Sequence, residues 1–104
     1  MTIAVVYVIF ADINEALRIG RTVVEERLAA CINVLTPCTS IYRWEGKIEQ
    51  SDEAPAILKT TVDRADALIE RIADLHSYEV PAITAWSADR MPALLAAWIE
   101  ENSS

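Results

Sequence analysis

Cys31-Ile32-Asn33-Val34-Leu35-Thr36-Pro37-Cys38-Thr39-Ser40-Ile41-Tyr42-Arg43-Trp44 runs into Glu45-Gly46 and returns as Lys47-Ile48-Glu49-Gln50-Ser51-Asp52-Glu53-Ala54-Pro55-Ala56-Ile57-Leu58-Lys59-Thr60-Thr61. Both limbs hold β-branched and aromatic residues, and Gly46 supplies the positive φ that a two-residue turn needs. The stretch reads as one hairpin. At ~3.3 Å per residue its first limb would extend about 46 Å, longer than a neighbouring strand of ordinary length. A two-residue turn pairs Trp44 with Lys47, Tyr42 with Glu49 and Ser40 with Ser51. The same register sets Pro37 against Ala54 and Pro55 against Thr36. Two prolines at one level do not fit an ordinary ladder, so a bend or bulge is expected there. It divides an inner section from an outer arm of about Cys38 to Glu53. The arm carries Tyr42 and Trp44 on one face, Ile41 and Ile48 on the other. A lone two-stranded ribbon is marginal in water. The arm is therefore expected to pack on another subunit in a closed symmetric oligomer, the alternative being a fold back over the chain's own open sheet face.

Outward from the hairpin, Thr2 to Ala11 is apolar on both alternating faces and reads as a central covered strand. Asp12 opens a helix with Glu15 in the capping-box position. Ile13, Ala16, Leu17, Gly20, Val24 and Leu28 share a face, and the helix is expected to end near Ala30. Asp63 is expected to cap a second helix, with Ala65, Leu68, Ile69, Ile72 and Leu75 on one side. Glu79 to Ser87 reads as a fourth strand, in which Pro81 suits an edge or a start. Met91 to Asn102 reads as a last helix with Pro92 in its first turn and Leu94, Leu95, Trp98 and Ile99 as its apolar stripe. The order β-α-β-β-α-β plus a C-terminal helix is an α+β, ferredoxin-like sandwich with an extended hairpin. Residues 1–104 form a single domain.

The chain has 104 residues, 53% of them hydrophobic, so a folded domain with a packed core is expected rather than disorder. Surplus apolar surface in so short a chain points to burial between subunits. Nine Lys and Arg against sixteen Asp and Glu leave a net charge of −7, which disfavours nucleic acid as a partner. Two cysteines are too few for a disulfide scaffold. Asp12 and Glu15 come too early for a signal h-region, no apolar run reaches membrane length, and a reduced, cytoplasmic protein is expected. Trp44, Trp86 and Trp98 lack the strand motif of RNA-binding sheets and read as core or interface anchors. There is no P-loop, GxSxG or HExxH, and Ala11-Asp12-Ile13-Asn14 is unsuited to cradling phosphate, so no enzyme is expected.

Several side chains could hold a metal. His76, the only histidine, follows the second helix, and imidazole suits Cu(II) and Zn(II); it reads equally as a structural cap. Glu79 lies three residues on. One His and one carboxylate are too few for a closed site, so a neighbouring subunit or water would complete it. Cys38 at the bend is the more exposed thiol expected, and Cys31 reads as a small buried thiol or a soft ligand. On a regular strand these two cysteines face opposite sides unless a bulge intervenes. Glu45, Glu49, Asp52 and Glu53 could hold hard cations weakly, or serve as a charged edge against aggregation.

Ala30-Cys31-Ile32-Asn33, Thr39-Ser40-Ile41-Tyr42-Arg43-Trp44-Glu45-Gly46-Lys47-Ile48, Lys59-Thr60, His76-Ser77-Tyr78-Glu79-Val80-Pro81 and Trp98-Ile99 occur in that order. In this the chain resembles the CutA family of divalent-cation tolerance proteins over nearly its whole length. The resemblance implies a homotrimer of PII-like architecture, divalent-cation binding with copper foremost, and no turnover. It strengthens the metal reading of His76. The chain departs from the family pattern at Ser77, where Pro is usual, and at Cys38, where many members have Gly. The alternative reading is a PII-like trimeric sensor of a small anionic metabolite or nucleotide, contacted by Arg43, Lys47 and Lys59. A third is a structural or anchoring trimer.

Overall fold

The computed structural model describes residues 2–104. Its elements are β1 (Ile3–Phe10), α1 (Ile13–Glu25), β2 (Cys31–Val34), β3 (Cys38–Trp44), β4 (Lys47–Thr61), α2 (Val62–Leu75), β5 (Ile83–Ala88) and α3 (Ala93–Asn102). The fold is the expected ferredoxin-like α+β arrangement. All pairings are antiparallel, in the order β2-β4-β1-β5, and β3 continues along the far end of β4.

The hairpin behaves as its prolines require. Its first limb is two strands, both paired with β4: Val34 faces Ala56 and Cys38 faces Glu53. Residues 35–37 therefore oppose only residues 54–55, one extra residue on the first limb. The Leu35 amide still donates to the Pro55 carbonyl at 2.9 Å. Glu45 (φ 50°) and Gly46 (φ 80°) both take left-handed backbone, as a tight hairpin turn with two positive φ values demands. Residues 41–50 are all exposed, so the arm projects and does not fold back over its own sheet.

Even-numbered residues of β1 and β4 face α1 and α2. Val6, Val8 and Phe10 meet Ala54, Ala56 and Leu58 from the sheet and Ala16, Ile19, Val23, Leu68 and Ile72 from the helices. Gly20 lets α1 approach β2: a Cβ there would lie 2.7 Å from Ile32 Cδ1. On the opposite face α3 covers one corner, where Ile99 packs with Ile3 and Ala30. The rest of that face, with Trp86 half exposed, is uncovered in one chain.

Several boundaries move from the sequence reading for local reasons. Helix α1 stops at Glu25, before Ala30, because Arg27 adopts φ 62° and the Leu28 amide bonds back to the Val23 carbonyl. The Arg27 guanidinium holds this reversal by donating to the Ser104 and Glu101 carbonyls at the end of α3. Thr61, not Asp63, is the N-cap of α2, since β4 runs directly into the helix. Strand β5 starts at Ile83 and not at Glu79, because residues 77–80 are spent in a turn. In α3, Pro92 is the N-cap and only Ile99 is buried, while Leu94 is 86% exposed.

Candidate functional site

The turn after α2 meets the start of α1 and the base of the arm. Asp12 Oδ1 accepts the Glu15 amide at 2.8 Å, which fixes the first turn of α1. Glu15 then reaches two other amides: Oε1 accepts from Ala11 and Oε2 from Ser77, both at 3.1 Å. Burial pushes the Glu15 carboxyl up, but hydrogen bonds from Ser77 and Ala11 and the nearby His76 outweigh it and leave it below the usual carboxylate range.

His76 stands behind this carboxylate. Its side chain is 0% exposed. Its ring stacks on Phe10 at 5.3 Å. Nδ1 accepts the Tyr78 amide at 3.1 Å and Nε2 lies 2.8 Å from the Ile9 carbonyl. An Nδ1 that accepts and an Nε2 that donates define one neutral tautomer. Neither nitrogen has a lone pair free for a ligand in this arrangement. The buried ring instead shapes the turn that presents Tyr78 and Glu79.

Tyr78 reaches across to β4. Its hydroxyl donates to Glu53 Oε2 at 2.5 Å. Burial, then the Glu53 carboxylate, hold this phenol far above its ordinary range. Glu53 is only 7% exposed. Between the turn and the arm lies a cleft of about 580 Å³, walled by Tyr42 and Trp44 from the arm and by Tyr78, Glu79 and Val80 from the turn, with Glu53 at its side.

The four expected ligands do not converge. His76 is inside; Glu79 is exposed and lines the cleft; Cys38 is half-buried, with Sγ 3.8 Å from Ser40 Oγ at the cleft's edge. Cys31 faces Lys59, whereas Cys38 faces Glu53. Because of the bulge both thiols lie on one side of β4, yet six strand positions separate them, about 20 Å. Both are free thiols. Among the described residues no three His, Cys, Asp or Glu side chains are grouped to hold a metal ion. The cations of the alternative reading are also scattered. Arg43 shares the Ile48 face of the arm, Lys47 sits at the tip, and Lys59 Nζ donates to Asn33 Oδ1 on the inner sheet. None of them lines the cleft.

Residues 4–102 match the family model described as CutA1 divalent ion tolerance protein. The chain belongs to the CutA1 family. It is 41% identical over 99 residues to the divalent-cation tolerance protein CutA of Pyrococcus horikoshii, covering 95% of this chain and 96% of that one. The crystal structure of CutA1 from Oryza sativa superposes with a TM-score of 0.96 at 30% identity, covering 100% of this chain and 95% of that one. The CutA structure from Archaeoglobus fulgidus, described as periplasmic, superposes with a TM-score of 0.94 at 32% identity, covering 98% and 99%. As a CutA1 member the chain is a divalent-cation tolerance protein by family, and no enzymatic activity appears in these names. No helix among its described residues is long and apolar enough to cross a membrane.

Sequence reasoning singled out Glu15 only as a helix cap, and Glu53 only as one of four hairpin carboxylates read as weak donors to hard cations or as a charged edge. The signal for both lay in the register: Ser77 and Tyr78 find these carboxylates only once α1, the turn and β4 are brought together.

Proposed function

We propose that this CutA1 chain works as a homotrimer of PII-like architecture that takes up divalent cations, copper foremost, at subunit boundaries. It serves metal tolerance as a binding or signalling module in the cytoplasm, without turnover. One observation carries this reading: the expected ligands outside the buried histidine, Cys31, Cys38 and Glu79, do not group into a closed site among the described residues, on a chain whose residues 41–50 are all exposed. A second copy covering the Ile41 and Ile48 face, 68% and 62% exposed, would supply both the missing donors and the missing burial. The two free thiols support a reducing compartment. Thiol and carboxylate together suit copper better than calcium or magnesium. In this reading Glu79 and Cys38 are ligands and His76 positions Glu79. Cys31 is a separate soft donor on the open sheet face.

Native mass spectrometry during a Cu(II) titration tests the proposal. A trimer that binds one copper per subunit, with uptake lost in Cys38→Ser and Glu79→Gln, is expected. Diffuse uptake that is equal in the variants overturns the ligand assignment. A monomer overturns the assembly.

A further inference from the structure

We infer that the cleft between the arm and the turn after α2 is a binding site for an organic ammonium cation. Its lining has three aromatic side chains, Tyr42, Trp44 and Tyr78, and two carboxylates, Glu53 and Glu79, and no Lys, Arg or His. Aromatic faces attract a soft, poorly hydrated cation through their quadrupoles. A carboxylate beside them adds Coulomb attraction without demanding the dense oxygen shell that a metal ion needs.

Glu53 is the group that decides the sign of the charge. It is nine-tenths buried, and its one side-chain partner among the described residues is the neutral hydroxyl of Tyr78. Among the described residues no Lys, Arg or His lies within ion-pair distance of it. A buried carboxylate without a counter-charge is costly, and a bound cation would remove that cost. The volume of about 580 Å³ fits a small organic molecule and far exceeds a bare ion. The register also leaves this face of the arm to the chain's own cleft. Tyr42 and Trp44 lie on the face that carries Cys38 and Glu53, and Ile41 and Ile48 lie on the other. The inference does not depend on the metal reading, because its test runs with metal removed.

The test uses the full chain in chelator, at constant ionic strength, with choline as the probe and its neutral carbon isostere dimethylbutanol as the control. Tryptophan fluorescence and calorimetry follow binding, and size exclusion follows the assembly. Choline is expected to bind saturably, one per chain, about tenfold or more tighter than the neutral isostere. Glu53→Gln keeps an oxygen for the Tyr78 hydroxyl and is expected to weaken choline about tenfold or more with assembly unchanged. Trp44→Leu is expected to weaken it as well and to abolish the fluorescence change. Equal binding of the neutral isostere, undiminished choline binding in Glu53→Gln, or the absence of saturable binding overturns the inference. Absent binding together with a Trp44 shielded from acrylamide in the assembly assigns the cleft to a second copy of the chain, which also overturns it.

Discussion

Replacing Glu15 by Ala tests the joint on which the cleft is built. The carboxylate serves the Ala11 and Ser77 amides, each at 3.1 Å, and is itself 6% exposed. Removing it leaves two part-buried donors, and a fully buried unpaired donor costs about 1–3 kcal/mol. Part of that cost is recovered where water reaches the turn, so a total loss of about 2–4 kcal/mol is expected. That is a large share of the ~5–15 kcal/mol by which domains are stable. Guanidinium unfolding at one fixed protein concentration reads it as a lower midpoint with an unchanged slope. Glu15→Gln, which keeps one acceptor but turns an amide NH₂ toward the other donor, should lose about half as much. The comparison has a pH signature. The Glu15 carboxyl is depressed in the folded chain, so its contribution is complete above the ordinary Glu value of about 4.3 and is lost as pH falls through the lower folded value. The gap between wild type and the non-titrating Gln variant should therefore be constant from neutral pH to about 5 and narrow in more acid solution. A loss under about 0.5 kcal/mol in Glu15→Ala, or a gap indifferent to acid, would refute the reasoning.

Two further substitutions probe backbone choices. Gly20→Ala gains about 1 kcal/mol of helix propensity, but its methyl meets Ile32 Cδ1 at 2.7 Å and Cγ2 at 3.0 Å, so a net loss of up to about 2 kcal/mol is expected, reduced when Ile32→Val is added; thermal or chemical melts of the double-mutant cycle check this. Glu45→Asn relieves a non-glycine residue held at φ 50° in the arm's turn and should stabilise by about 0.5–1 kcal/mol in the same melts, since Asn tolerates left-handed backbone.

Much of the architecture is written in short-range pattern. A run apolar on both faces marked β1, β-branched residues flanking a turn marked β4, the Asp12–Glu15 spacing marked the start of α1, and Glu45-Gly46 set the hairpin register. The clash of Pro37 with Pro55 required the break that separates β2 from β3. These features depend on residues close in sequence, or on one register that a turn dictates, and so they are legible without coordinates. The helix ends were less so. Arg27 takes a left-handed φ because carbonyls 74 and 77 residues away receive its guanidinium, and nothing local announces that. Composition marked β1 as covered on both faces and Leu94, Leu95 and Trp98 as part of an apolar stripe, but in one chain Val5, Tyr7 and Ile9 are only half-buried and those three α3 side chains are exposed.

The site shows the division most clearly. Composition alone sets which donors exist: one histidine, two thiols and a surplus of carboxylates. Their chemistry came from the way the fold surrounds them. It closed both nitrogens of His76 on the Tyr78 amide and the Ile9 carbonyl, a partner 67 residues away. It also drew Glu53 off the charged edge and into the wall of an aromatic cleft. A side chain's type sets what it can bind, but burial and hydrogen bonds made across the sheet set whether a lone pair is left to bind with.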